Sequence, residues 1–160
     1  MATVLVTGVG GRTGIGAVRS LHERTDHEVV GVDMDSTAAG LHLADAGHTV
    51  PPASDDAWVE TLCSLVAAHD ADAVVPTVDE ELAELASLSQ SLPAEVPVVA
   101  PRPDLVDVAL DKYRTHTHLA DTGHNVPRTW LATERDAVDR SAFPLLVKPR
   151  RGRGSRGIER

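Results

Sequence analysis

The chain has 160 residues and a formal charge of −9, a length that holds one ordinary α/β domain or one domain and part of a second. An apolar fraction of 42% suits a packed core and excludes wholesale disorder. The excess of acid speaks against general nucleic-acid binding, because a duplex would be repelled.

The first element is an apolar strand, "TVLVTG" (3–8), followed by a glycine-rich turn and a helix over about 14–24. "EVVGVDMD" (28–35) is a second strand, "STAAGLHLADAG" carries a short helix and "HTVPP" a brief third strand. "SDDAWVETLCSLVAAH" opens on acidic capping residues and runs as a helix to about 69. "DAVVPTV" (72–78) is a fourth strand, "DEELAELASLSQSL" a helix with acids in its first turn, and "VPVVAP" (96–101) a fifth strand. Short apolar strands alternating with helices predict parallel pairing through right-handed crossovers, in a sheet covered on both faces. Residues 1–102 therefore read as one doubly wound α/β domain.

After "APRP" the rhythm changes. Residues 102–123 read as one long helix ending at Gly123, "NVPRTWLA" as a short strand, "ERDAVDRSA" as a helical turn or two, and "FPLLVKPR" as another strand. Residues 103–160 thus begin a second unit that has no room to finish.

The lone Cys63 excludes a disulfide framework and reads as a small buried hydrophobe. No signal-peptide pattern opens the chain and no apolar run spans a bilayer, so a soluble, cytoplasmic protein without a membrane partner is expected. His116 and His118 fall on different helix faces, which disfavours a metal site with His124. Trp58 and Trp130 read as packing residues. Asp79 is the expected N-cap of its helix; it and Glu80 also border the strand ends where open α/β sheets bind ligands.

Two glycine loops compete for a phosphate. In "TGVGGRTGIG" the residues Gly8, Gly10 and Gly11 precede a helix start, and Asp33 ends the second strand 25 positions after Gly8, where a ribose-binding acid would fall. This suggests a dinucleotide fold, but a glycine pattern of this kind more often marks only a tight turn that needs close helix–sheet contact. An epimerase or reductase would also need a Tyr-x-x-x-Lys pair, and the only tyrosine, Tyr113, is followed by Arg114, Thr115, His116 and Thr117.

The second loop follows an apolar run: Lys148, then "PRRGRGSRG". A lysine at a strand end meets phosphate as a point charge. Gly152, Gly154 and Gly157 let main-chain N–H groups approach it, with Arg153 and Ser155 between them. Five arginines lie between 150 and 160, a basic focus on an acidic chain. An arginine–glycine segment for RNA is the rival, but there is no aromatic for base stacking. Only Lys112 and Lys148 are lysine; the other thirteen basic residues are arginine. That bias suits a high-salt cytoplasm and a GC-rich genome equally.

The succession "VLVTGVGG", "VVPTVDEEL", "ALDKYRTHTHLADTGHNVPRTW" and "FPLLVKPRRGRGSRG" resembles the ATP-grasp superfamily, in particular proteins like the carbamoyl-phosphate synthase large subunit. The resemblance implies a Rossmann-like pre-ATP-grasp domain over 1–102 and the start of an ATP-grasp domain over 103–160. It places the ATP-contacting basic position of the helix on Lys112, the strand lysine on Lys148, and the phosphate loop on Gly152, Arg153, Gly154, Ser155 and Gly157. Gly8, Gly10, Gly11, Asp79, Glu80 and Arg102 are the candidates to border the substrate cleft.

The full-length protein is then expected to use ATP and Mg²⁺ to activate a small-molecule carboxylate as an acyl phosphate for capture by an amine. A homodimer is allowed. The family's adenine hinge, metal ligands and catalytic arginine come after the loop, so the chain ending at Arg160 is expected to be an inactive fragment. An NAD(P)-binding epimerase or reductase, and a non-catalytic nucleotide- or RNA-binding module, are the alternatives.

Overall fold

The computed structural model describes residues 1–152 and 157–159. It divides into two compact units, Met1–Ala100 and Pro101–Arg160. The first is built on β1 (Thr3–Thr7), α1 (Arg12–Arg24), β2 (Glu28–Asp33), β3 (Ala46–Thr49), α2 (Ala57–Ala68), β4 (Ala73–Val75) and α3 (Leu85–Ser91). All pairings are parallel, in the order β3-β2-β1-β4, with Thr3 opposite Glu28 and Val4 opposite Ala73.

Alternation along the strands sends successive side chains to opposite faces. Leu5, Val30, Val32 and Val74 meet Trp58, Leu62 and Val66 of α2 and Leu85 and Leu88 of α3. Val4, Val6 and Val29 meet Val9 and Val18, with Leu21 of α1 against them. Helices thus cover both faces, which is why strands this apolar are stable here. Fully burying a leucine such as Leu62 or Leu88 contributes roughly 1.5–3 kcal/mol. Trp58 is a core residue, and Cys63 packs partly buried against the same cluster. His48 of β3 and His69, which caps α2, bring their Nε2 atoms to 2.7 Å and join the sheet edge to that helix.

Several elements differ from the sequence expectation. The fifth strand is a single parallel bridge, Val74 to Val98, because Pro97 and Pro101 remove the N–H groups a longer ladder would use. Residues 79–91 are not one helix: Asp79–Ala83 is 3-10 and α3 follows.

In the second unit the long helix breaks into α4 (Pro103–Ala109) and α5 (Lys112–Asp121). Asp111 at the break has φ −122° and ψ 108°, and its side chain accepts from the main-chain N–H groups of Tyr113 and Arg114, so it starts a new helix instead of continuing the old one. No strand forms over "NVPRTWLA"; Arg128 stacks over the Trp130 ring at 4.9 Å. "FPLLVKPR" contributes only Val147, which pairs antiparallel with Glu159 through bonds of 2.9 and 3.0 Å. Short 3-10 turns span Ala132–Ala137 and Arg140–Ala142. Among the described residues no helix is long and apolar enough to cross a membrane.

Candidate functional site

Each unit presents one of the two glycine loops. In the first, β2 and β3 lie on one side of β1 and β4 on the other, so the crevice where ligands bind in open sheets falls at the carboxyl ends of β1 and β4. Thr7 ends β1 there, and its hydroxyl donates to the buried Glu81 carboxylate. The Thr77 N–H donates back to the Thr7 hydroxyl at 3.2 Å, and the Thr77 hydroxyl to the Thr7 carbonyl at 2.7 Å.

In sequence Glu81 is one of three consecutive acids, and nothing there distinguishes it from Asp79 and Glu80. Asp79 is not the N-cap: Val78 holds that position, and no side chain caps the turn. Asp79 and Glu80 are exposed, whereas Glu81 turns inward. Burial pushes the Glu81 carboxyl up to about 7; the Asp33 charge adds to this, and hydrogen bonds from Thr7, Val78 and Thr77 oppose it.

The folded chain therefore keeps a proton that the unfolded chain has lost between about pH 4.5 and 7. Stability falls as pH rises through that window, with a full cost of up to about 3 kcal/mol above it. Glu81→Gln keeps an acceptor for Thr7 and removes the ionisation. Denaturant midpoints at pH 5 and 8 are expected to fall less in the variant than in the wild type; equal falls would contradict this account of Glu81.

Part of the first loop is bonded within its own chain. Val9 N–H donates to Val32 O at 3.2 Å, Gly10 N–H to Asp33 Oδ2 at 2.7 Å and Gly11 N–H to Gly8 O at 3.0 Å. Asp33 also accepts from Asp35 N–H at 3.0 Å. The acid expected at a ribose thus also holds the turn. A Cβ on Gly8 would meet Val78 and Thr77, and one on Gly10 would meet Ala38 and Asp33, so both positions hold the turn closely packed.

The second loop is differently equipped. Lys112 opens α5; its main-chain N–H donates to Arg150 O at 2.9 Å and its Nζ to Gly152 O at 2.7 Å. Asp111, almost fully buried, receives the Arg150 guanidinium as a fork, with Nε to Oδ1 at 3.1 Å and Nη2 on Oδ2. That guanidinium holds the Asp111 carboxyl down at about 2, against the cost of desolvation. Its contribution is present above the usual carboxylate range and is lost as pH falls through about 2.

Lys148 is exposed at the foot of the hairpin that Val147 and Glu159 close, and it joins no ion pair among the described residues. Gly157 sits at φ 67° with Pro149 opposite; a Cβ there would lie 3.0 Å from the proline ring. Arg153, Gly154 and Ser155 lie outside the described residues.

Arg102 is committed to Asp104 by bonds of 3.0 and 2.7 Å at the start of α4. A shallow recess of about 260 Å³ in the first unit is lined by Asp55, Asp56 and Glu84, a charge that repels phosphate. Among the described residues no three His, Cys, Asp or Glu side chains are placed to hold a metal.

The model of a family described as PylC-like, N-terminal domain, matches residues 4–99. No curated protein sequence gives a significant match. Among solved structures the chain is similar to the N5-carboxyaminoimidazole synthetase of Staphylococcus aureus in complex with ADP, at 18% identity and a TM-score of 0.67 over 94% of this chain and 39% of that one. The biotin carboxylase domain of the Hydrogenobacter thermophilus 2-oxoglutarate carboxylase gives 21% and 0.64, covering 99% and 37%. Glycinamide-RNase-transformylase T of Mycobacterium tuberculosis gives 20% and 0.58, covering 83% and 39%. Identities this low establish a shared fold. The chain spans about two fifths of the length of each.

Proposed function

The chain belongs to the family of PylC-like N-terminal domains, the pre-domain of ATP-grasp proteins, and from that membership we propose that residues 103–160 supply the phosphate-binding start of an ATP-grasp domain. The full-length protein is then an ATP-dependent ligase. A carboxylate oxygen of its substrate attacks the γ-phosphorus of ATP, the bond to the bridging oxygen breaks and ADP leaves. An amine then attacks the acyl phosphate, forming the new bond as phosphate departs. The finer form is a ligase like the carbamoyl-phosphate synthase large subunit.

In this reading Lys112 and Lys148 neutralise the triphosphate. Gly152 and Gly157, with Arg153, Gly154 and Ser155, line its loop, and catalysis consists of positioning and charge stabilisation. Mg²⁺, when bound, would supply further neutralisation from donors outside the described residues. The observation that carries the proposal is the 2.7 Å contact of Lys112 Nζ with Gly152 O, which brings the lysine of α5 to the glycine loop 40 positions away.

The test is a titration with a fluorescent ATP analogue, carried to millimolar concentration. Unlabelled MgATP and tripolyphosphate are expected to displace it while NADPH does not. Displacement by NADPH alone would overturn the proposal.

A further inference from the structure

The carboxylate of Asp111 is buried in the second unit, and nothing in the proposed chemistry uses it. It accepts from Tyr113 N–H at 3.0 Å and Arg114 N–H at 3.2 Å, and from Nε and Nη2 of the Arg150 guanidinium. Arg150 is in turn held twice, by its side chain on Asp111 and by its carbonyl on Lys112 N–H. Its guanidinium also lies 5.7 Å from the Tyr113 ring centre. Two attachments at one residue fix register as well as distance, since rotation about either breaks the other. A forked guanidinium supplies this geometry; a lysine ammonium does not.

We infer that Asp111 and Arg150 are a positioning pair: their forked contact locks the start of α5 to the segment that follows the Val147–Glu159 bridge and so delivers the Lys112 ammonium to the glycine loop. This rests on the nucleotide reading above, in which Lys112 touches phosphate and Asp111 touches only Arg150 and the helix start. Without the pair Lys112 still carries its charge, but its main chain is no longer tied to Arg150 and the ammonium samples a wide volume. Binding then loses the benefit of preorganisation.

Asp111→Asn separates this role from helix capping. Asparagine is as good an N-cap and keeps an oxygen for Tyr113 and Arg114, but it sets an amide N–H₂ against the Arg150 fork. It also removes a negative charge beside the loop, so plain electrostatics predicts tighter anion binding. The positioning role predicts the reverse.

The experiment measures tripolyphosphate affinity and ligand-free amide exchange for the wild type, Asp111→Asn and Arg150→Lys, with helicity checked by circular dichroism. Both variants are expected to keep their helicity, bind tripolyphosphate about tenfold more weakly and exchange the Lys112 amide about tenfold faster. Unchanged or tighter binding with Lys112 protection intact overturns the inference. Failure of the wild type to bind tripolyphosphate sinks the nucleotide reading and reduces the pair to a structural contact, whatever the exchange shows. The exchange arm needs no ligand, so the two failures are distinguishable.

Discussion

A Gly8→Ala chain is expected to lose about 2–4 kcal/mol of stability, the sum of a left-handed backbone forced on a side chain and an overpacked contact. Gly8 has φ 61°, and a Cβ on it would fall 2.2 Å from Val78 Cγ2 and 2.9 Å from Thr77 Oγ1. Val78 and Thr77 are tied down by the same network that holds Thr7 to Glu81, so neither side gives way cheaply.

Against a typical total of about 5–15 kcal/mol this is a large fraction, and the melting transition of the first unit should fall by roughly 10–20 °C. Gly16 is the control. It lies exposed in α1 with nothing within 4 Å of a built Cβ, and alanine there should add up to about 1 kcal/mol. Calorimetry showing Gly8→Ala no worse than Gly16→Ala would mean that the turn is not packed against the end of β4.

The second large effect falls on binding. Lys148→Ala is expected to weaken ATP and tripolyphosphate binding about 10–100-fold, as removal of a charged hydrogen-bond donor does, with the melting of the first unit unchanged. Lys148→Arg should recover only part of it, because a planar fork does not replace a compact ammonium. The chain uses arginine at thirteen basic positions and lysine at 112 and 148 alone. Isothermal titration decides: an alanine variant that binds as the wild type removes Lys148 from the site.

What could be read in advance follows from where the physics is local. β1 and β2 announce themselves as "VLV" and "EVVGV" because a strand buried on both faces must be apolar throughout. Helix α2 shows an amphipathic period with Trp58, Leu62 and Val66 on its buried face.

Prolines shorten the strands that the apolar runs suggest. Val98 and Val147 have strand-forming neighbours, but Pro97, Pro101, Pro144 and Pro149 leave each with a single bridge. The break at Asp111 lay in plain view as an N-cap residue inside an otherwise helical run. It was missed because its buried partner, Arg150, is 39 positions away.

Glu81 is harder still. Three consecutive acids look alike in sequence, and only the 3-10 turn after Val78 decides that the third faces Thr7. At the candidate site Lys112, Lys148, Gly152 and Gly157 were legible as residue types. The clamp that positions one of them was not, since ion pairs carry no local pattern.

The measurement that bears most directly on the central claim is the tripolyphosphate titration followed residue by residue through ¹⁵N amide shifts. The amides of Lys112, Lys148, Gly152 and Gly157 are expected to move together along one binding curve while those of Val9, Gly10 and Gly11 stay still. Shifts confined to the first loop, with Lys112 and Lys148 unaffected, would contradict it.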